Sequence, residues 1–206
     1  MKENLESRIL SVADAKYFAK RRVPKSIFQM FEAGSGSNKT AIRNVEAFEK
    51  VMFRPRNAVF HHEHDISTTV LGHSISMPAI VSSVGFLGAG HVDGESGVAR
   101  AAGDAGTIQF VSGVTSQPIE QIMEAATGPI FYQLYYVGGR DASAPVIERV
   151  KKAGVDGLVL TVDTPTIARP RDLLFPYRAT APTALNLEEA IKFLPQVWDK
   201  PAWLMD

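Results

Sequence analysis

The sequence predicts an α/β fold, namely an incomplete TIM (β/α)₈ barrel of about four βα units behind a helical N-terminal segment. From Pro78 onward, short apolar segments centred near residues 80, 110, 132 and 160 alternate with amphipathic helical segments. This alternation is typical of repeated βα units with parallel strands. The strand segments are almost continuously apolar, as strands buried on both faces of a parallel sheet must be.

The first predicted domain, residues 1–77, contains three helices and a small extended appendage. The first helix starts near Asp14, and Pro24, a residue type favoured in the first helical turn, starts a second helix that ends at Glu32. A third helix is predicted over 40–50, where apolar side chains recur on one side. The stretch 52–72 contains short extended segments, which we interpret as an antiparallel appendage.

The second predicted domain, residues 78–206, is the first half of the barrel and ends in the excursion after strand four. Its strands are predicted at 79–82, 108–112, 130–134 and 157–162, and its helices at 94–105, 118–126 and 144–153. Polar residues occupy the carboxyl ends of the strands: Ser83, Ser112, Gln133, Tyr135, Thr161 and Asp163. Because these ends meet at one rim of a barrel, we expect the functional site there.

A doubly wound dinucleotide-binding fold is the alternative, since it also places ligands at the carboxyl ends of strands. Its first turn is usually glycine-rich in a fixed pattern, which the turn at 83–88 does not follow. The glycines of 85–90 also lack the lysine and the spacing of a nucleotide-binding P-loop. The sequence therefore favours the barrel.

Composition excludes several functional classes. Lys+Arg and Asp+Glu each number 22, so no net charge attracts the chain to nucleic acid or lipid. The sequence contains no cysteine, which rules out disulfides, a thiolate nucleophile and an iron–sulfur cluster. The first ten residues lack the apolar region of a secretory signal. We expect a cytoplasmic protein, either free or peripheral to a membrane.

Two charged clusters could be read as binding sites. The segment His61–Asp65 holds three imidazoles and two carboxylates, which are zinc ligands in other proteins. Consecutive residues of an extended chain point in opposite directions, so we interpret this segment as a solvated loop and predict no metal. The basic residues 20–22 are interpreted as a solvated helix face.

Segments occurring in order along the chain resemble the FMN-dependent 2-hydroxy-acid dehydrogenase/oxidase family, which includes glycolate oxidase and L-lactate dehydrogenase. The matching segments are Leu71-Gly72 with Met77-Pro78, Gly94-Glu95 with Ala99–Ala102, Ala105–Thr107, Phe131–Tyr135 and Thr161–Pro165. The resemblance extends over nearly all of residues 14–172. It implies a flavin enzyme, homo-oligomeric at full length, that acts on the CH–OH group of a small 2-hydroxy acid similar to L-lactate.

The resemblance also implies an FMN site. Ser112, Gln133 and Thr161 match family residues that hydrogen-bond the flavin ring, and hydroxyl and carboxamide groups suit the carbonyl and imide edges of that ring. The backbone of Ser83, Val84 and Gly85 matches the turn that lies against the flavin. The cofactor expected from the resemblance is therefore FMN.

Substrate-binding and catalytic residues are implied in the same way. Tyr135 matches the tyrosine that contacts the substrate, and Asp163 matches the carboxylate that orients the catalytic histidine. Either Arg169 or Arg171 could supply the substrate-binding guanidinium, and Arg171 is preferred.

Departures from the family pattern indicate a branch with a larger substrate. Where the family has a substrate-contacting tyrosine after Phe28, this chain has Met30. Ser83-Val84 replaces a common Pro-Thr pair. Together with Gly138–Asp141 and Pro201–Leu204, these departures resemble the flavoprotein of mycofactocin maturation, which oxidatively deaminates a peptide-derived ring. A modified peptide is therefore the alternative substrate.

Half of the expected barrel lies outside this chain. A complete barrel takes about 250 residues. By resemblance, the proton-abstracting histidine, a second arginine, a lysine and the phosphate site come from later strands, so we expect a truncated and inactive N-terminal half. The alternatives are a non-catalytic half-barrel that pairs with a separate C-terminal half or self-associates through open edges, and a barrel that binds a phosphorylated metabolite without flavin.

Overall fold

The computed structural model describes residues 8–34, 36–60 and 64–163 of the chain. The chain divides into two units, one formed by Met1–Pro55 with Ile167–Asp206 and the other by Arg56–Thr166. The predicted division at residue 77 stays a prediction.

The described part of the first unit is helical. Helix α1 spans Val12–Arg22, α2 spans Lys25–Glu32 and α3 spans Lys39–Glu49. Helix α1 begins two residues before the predicted Asp14 because Ser11 caps it, its Oγ accepting a hydrogen bond from the backbone N–H of Asp14 at 3.2 Å. Pro24 separates α1 from α2 as predicted.

The described part of the second unit contains a hairpin, a parallel sheet, three α-helices and one short 3₁₀ helix. Strands β1 (Thr68–Val70) and β2 (His73–Ile75) pair antiparallel. The sheet has the order β3-β4-β5, with all pairs parallel. Its strands are β3 (Gln109–Val111), β4 (Ile130–Tyr135) and β5 (Gly157–Thr161), and the helices are α4 (Gly94–Asp104), α5 (Ile119–Ala125) and α6 (Gly139–Ala153). The alternating order confirms an α/β fold; within the described residues the sheet does not close.

The first predicted barrel strand, 79–82, forms only an isolated parallel bridge between Val81 and Gln109. The Val81 N–H donates to the carbonyl of Ile108 at 2.9 Å, and the Val81 carbonyl accepts from Phe110 at 2.8 Å. The segment therefore lies beside β3 as predicted, but its pairing is too short for a strand.

The start of α6 was also predicted incorrectly. The sequence places it at Ala144, whereas the helix begins at Gly139 and contains Pro145 in its interior. An interior proline removes one helical hydrogen bond and its ring crowds the carbonyl four residues earlier, which makes it unfavourable in a helix, yet α6 continues through Pro145 to Ala153.

The two faces of the sheet differ in chemistry. On one, called here the helix face, Val111, Ile130, Tyr132 and Leu134 pack against apolar side chains of the helices in a buried core. The opposite face, called the open face, carries Phe110, Phe131, Gln133, Val159 and Thr161. The alternation along β4 follows from the two-residue period of a strand.

The hairpin lies at the amino-terminal end of the sheet. Ile75, which is 2% exposed, packs against Ile108 and Phe131. The backbone N–H of Ser76 donates to the carbonyl of Gly106 at 2.9 Å. The open face is therefore covered by apolar side chains at this end, whereas its carboxyl end carries the polar side chains.

Candidate functional site

A hydrogen-bonded network joins the carboxyl ends of β3, β4 and β5. Oε1 of Gln133 accepts from the backbone N–H of Gly113 at 3.0 Å and from the Ser112 hydroxyl at 3.4 Å. Nε2 of Gln133 donates to Oγ1 of Thr161 at 2.7 Å. The Gly113 N–H fixes the orientation of the carboxamide, because only its oxygen can accept. The structure thus brings together Ser112, Gln133 and Thr161.

The strand register explains why these three residues meet. Tyr132 of β4 pairs with Val111 of β3, and Gln133 pairs with Val159 of β5. Ser112 follows β3 directly, so its side chain reaches the open face beside Gln133. Ser112 and Gln133 are buried, and Thr161 is half-buried. The side chains of the network are joined by hydrogen bonds and carry no charge.

The turn at 83–86 lies against the loop that follows β3. The backbone N–H of Phe86 donates to the carbonyl of Val114 at 3.0 Å. A Cβ on Gly85 would lie 2.8 Å from that carbonyl oxygen and 3.3 Å from the Ser112 hydroxyl, so glycine permits the close approach. Ser83 is half-buried and Val84 exposed.

Phe86 has a left-handed backbone conformation, with φ 58° and ψ 34°. Bulky residues rarely adopt it, and such conformations are concentrated at functional sites. This strained residue belongs to the turn at 83–86, which lies beside the polar network.

Tyr135 and Asp163 lie at the same edge but outside the network. Tyr135 ends β4, pairs with Thr161 and is 37% exposed. Asp163 follows β5 and is exposed. Arg169 and Arg171 lie outside the described residues.

The histidine-rich segment His61–Asp65 lies partly outside the described residues, at 61–63. Asp65 accepts a hydrogen bond from the backbone N–H of Ser67 at 2.9 Å, and the hydrogen bonds from Ser67 lower the pKa of Asp65. Among the described residues, no group of three or more His, Cys, Asp or Glu side chains could hold a metal ion.

Glu95 contacts the loops beside the polar network, and no role was assigned to it from the sequence. It is completely buried, and it accepts hydrogen bonds from the backbone N–H groups of Leu87 and Ser116. The sequence feature that could have indicated Glu95 is an acidic residue in the first turn of a predicted helix, directly after Gly94. Sequence alone does not show which loops face it.

The fold and this edge define a class of protein: a partial α/β fold with parallel strands and a polar network at their carboxyl ends, the edge at which such folds bind ligands. The chain belongs to the FMN-dependent dehydrogenase family, whose pattern matches residues 19–205. The resemblance predicted from the sequence is thereby confirmed, and the cofactor of this family is FMN.

The known proteins similar to the chain include a pre-mycofactocin synthase and a hydroxyacid oxidase. The pre-mycofactocin synthase of Mycobacterium tuberculosis is 39% identical over 194 residues, which are 94% of this chain and 48% of that protein. The peroxisomal (S)-2-hydroxyacid oxidase of Arabidopsis thaliana is 34% identical over 181 residues, 88% of this chain and 50% of that protein. The chain spans about half the length of the curated relatives it matches.

The solved structures similar to the chain indicate the same family. The recombinant flavin-binding domain of baker's yeast flavocytochrome b2 superposes with a TM-score of 0.76 at 29% identity, over 81% of this chain and 44% of that chain. Separately, no helix among residues 8–34, 36–60 and 64–163 has the length and apolar character needed to cross a bilayer.

The network has the donors and acceptors that an isoalloxazine edge requires. Within the described part of the chain, the second Gln133 amide hydrogen and the Thr161 hydroxyl hydrogen have no protein acceptor. A flavin ring presents carbonyl oxygens and ring nitrogens that accept such hydrogen bonds. The residues present therefore fit the ring of FMN.

Proposed function

We propose that this chain is the N-terminal half of an FMN-dependent oxidoreductase that acts on the CH–OH group of a 2-hydroxy acid similar to L-lactate. The observation that carries the proposal is the Ser112–Gln133–Thr161 network at the carboxyl edge of parallel strands in a member of this family. In this proposal Val81, β3, β4 and β5 belong to the first four strands of a TIM barrel.

Flavin binding would use the network and the neighbouring turn. Gln133 and Thr161 would donate hydrogen bonds to the ring edge, and Ser112 would hold the Gln133 carboxamide in position. The backbone of Ser83, Val84 and Gly85 would lie against the ring, because Gly85 keeps this turn close to Ser112.

Bound FMN would supply the hydride acceptor. Asp163 would orient a histidine from a later strand and stabilise its protonated form after it accepts the substrate hydroxyl proton. Tyr135 would donate a hydrogen bond to the substrate, and Arg171 or Arg169 would bind its carboxylate. In this proposal the histidine comes from a later strand, and residues 1–206 would be inactive without it.

A second candidate is the oxidation of a peptide-derived ring, as in mycofactocin maturation. Two observations favour it: the identity of 39% to pre-mycofactocin synthase exceeds the 34% to the hydroxyacid oxidase, and Met30 replaces a small-acid contact. Its substrate would be a modified peptide. The candidates differ in their expected ligands: L-lactate should perturb the flavin band if the site takes small hydroxy acids, and a modified peptide should do so if the site takes a peptide-derived ring.

The primary test is FMN binding by the 206-residue chain, measured by flavin fluorescence titration and by the visible band that survives desalting. Gln133→Leu should weaken binding by about tenfold, the equivalent of roughly 1.4 kcal/mol for a lost hydrogen-bonding group. Gln109→Leu is the matched control, because Gln109 is as buried as Gln133 but lies on the helix face. No FMN binding in the fluorescence titration, or equal affinities for the two variants, contradicts the proposal. Loss of flavin on desalting alone does not, because the phosphate site is expected from later strands.

A further inference from the structure

Glu95 is a fully buried carboxylate that none of the proposed flavin or substrate contacts uses. Its Oε1 accepts hydrogen bonds from the backbone N–H groups of Leu87 and Ser116, each at 3.1 Å. Its Oε2 accepts from the Ser116 hydroxyl at 2.5 Å. A single side chain of α4 therefore joins two loops that are distant in sequence.

These two loops frame the candidate site. The first, residues 83–89, contains the turn proposed to lie against the flavin. The second, residues 112–117, begins at Ser112 of the polar network. Oγ of Ser116 also accepts from the backbone N–H of Gly88 at 2.7 Å. Glu95 and Ser116 thus form a second set of hydrogen bonds between the loops, in addition to the one from Phe86 to Val114.

An acidic side chain suits this position because every group that bonds to it is a donor. An ionised carboxylate has only acceptors, whereas a glutamine would bring two N–H groups that need acceptors of their own. A buried charge is costly unless it is hydrogen-bonded, and three donors surround this one. Its place in the first turn of α4 adds a favourable interaction with the helix dipole.

We propose that Glu95 is a positioning residue for the flavin site. It fixes the separation between the loops 83–89 and 112–117, and thereby keeps the turn at Gly85 and the Ser112–Gln133 pair in the geometry that receives the flavin ring. It acts through Leu87 and Ser116 and does not contact the cofactor. The inference rests on the proposed FMN-binding function.

The test compares Glu95→Ala and Glu95→Gln with Ser96→Ala as a matched control, all in the 206-residue chain. Ser96 is the next residue of α4 and is 6% exposed, and its hydroxyl has no hydrogen-bond partner among the described residues. Removing that hydroxyl therefore breaks no link between the loops. The two readouts are hydrogen exchange at the Leu87 and Ser116 amides and FMN affinity by fluorescence titration.

In Glu95→Ala, the Leu87 and Ser116 amides should lose their protection while the amides of β4 keep theirs. FMN affinity should fall by about tenfold or more, because several charge-assisted hydrogen bonds are lost. Glu95→Gln should be intermediate, since its Oε1 still accepts from both amides. Ser96→Ala should match the wild type in both readouts.

Unchanged protection at Leu87 and Ser116 in Glu95→Ala would overturn the proposal, and so would equal weakening of FMN binding by Glu95→Ala and Ser96→Ala. If the alanine variant does not fold, Glu95→Gln decides: it must show weaker protection at both amides and weaker FMN binding than Ser96→Ala. A wild-type chain that binds no FMN contradicts the proposed function instead, and the exchange readout then still decides whether Glu95 joins the loops.

Discussion

The helix face and the open face of the parallel sheet are built from the same strands but serve different purposes. On β4, Tyr132 and Leu134 point into the apolar core formed with the helices, while Gln133 between them joins the polar network. Burial alone does not distinguish the two faces, because Leu134 is 8% exposed and Gln133 is 3% exposed. What differs is whether a buried polar atom has a partner.

Two buried glutamines make the contrast concrete. Gln109 on the helix face is 2% exposed, and its Oε1 has no hydrogen-bond partner among the described residues. Gln133 on the open face bonds to Gly113, Ser112 and Thr161. An enclosed polar atom without a partner costs free energy, whereas a satisfied network gives rigidity. The open face is therefore organised around polar contacts, and the helix face around packing.

The largest expected effect is on the helix face. Ile130 is 1% exposed and belongs to the helix-face core, so Ile130→Ala should lower the free energy of unfolding by about 2–5 kcal/mol. Leu160→Ala is the control on the same face of β5, where the side chain is 54% exposed. It should cost less than about 1 kcal/mol. Urea unfolding with unchanged m-values measures both, and similar losses would show that burial does not decide how much a helix-face side chain contributes to stability.

The two glutamines should respond in opposite directions, with a smaller effect. Gln133→Leu leaves the Gly113 N–H without its acceptor and should lower the free energy of unfolding by about 1–3 kcal/mol. Gln109→Leu removes a buried oxygen that has no partner and should be neutral or stabilising by up to about 1 kcal/mol. The measurement is again urea unfolding. Equal destabilisation by the two substitutions would mean that hydrogen bonding of the glutamine carboxamide is not what distinguishes the open face from the helix face.

Much of the fold was predictable because the strands carry an apolar pattern with polar ends. Strands predicted at 130–134 and 157–162 are found at Ile130–Tyr135 and Gly157–Thr161. The meeting of Ser112, Gln133 and Thr161 followed from the same pattern, since parallel strands in register bring their carboxyl ends together. Sequence reasoning succeeds here because the information is local to each strand.

The features that sequence reasoning missed depend on contacts between distant segments. The segment 79–82 is apolar, yet only Val81 pairs with β3, a result set by tertiary geometry and not by propensity. Helix α6 begins at Gly139 and not at the predicted Ala144, and it accommodates Pro145 in its interior. Glu95 was part of a segment that matches the family but had no assigned role, and only the positions of Leu87 and Ser116 show what it binds.

The smallest expected effect is on the outermost layer of the helix face, where Arg149 of α6 binds Glu120 of α5 through two hydrogen bonds of 2.8 and 2.7 Å. These hydrogen bonds lower the pKa of Glu120 from 4.5 to about 2. A lowered folded-state pKa stabilises the protein above pH 4.5, and this stabilisation is lost as the pH falls towards 2. Both side chains are at least half exposed, so solvent screening keeps the stabilisation small.

Carboxyl NMR titration of Glu120 should therefore give a midpoint near 2 in the wild type and a higher midpoint in Arg149→Met, still below 4.5 because a backbone hydrogen bond at Glu120 also lowers the pKa. The unfolding stability of the two proteins should converge at acid pH and differ only slightly at neutral pH, with the difference shrinking as salt is added. Unlike the two buried glutamines, this pair lies in solvent, where even a well-formed contact contributes little. A large, salt-independent stability difference would show that the link between α5 and α6 belongs to the core and not to the surface.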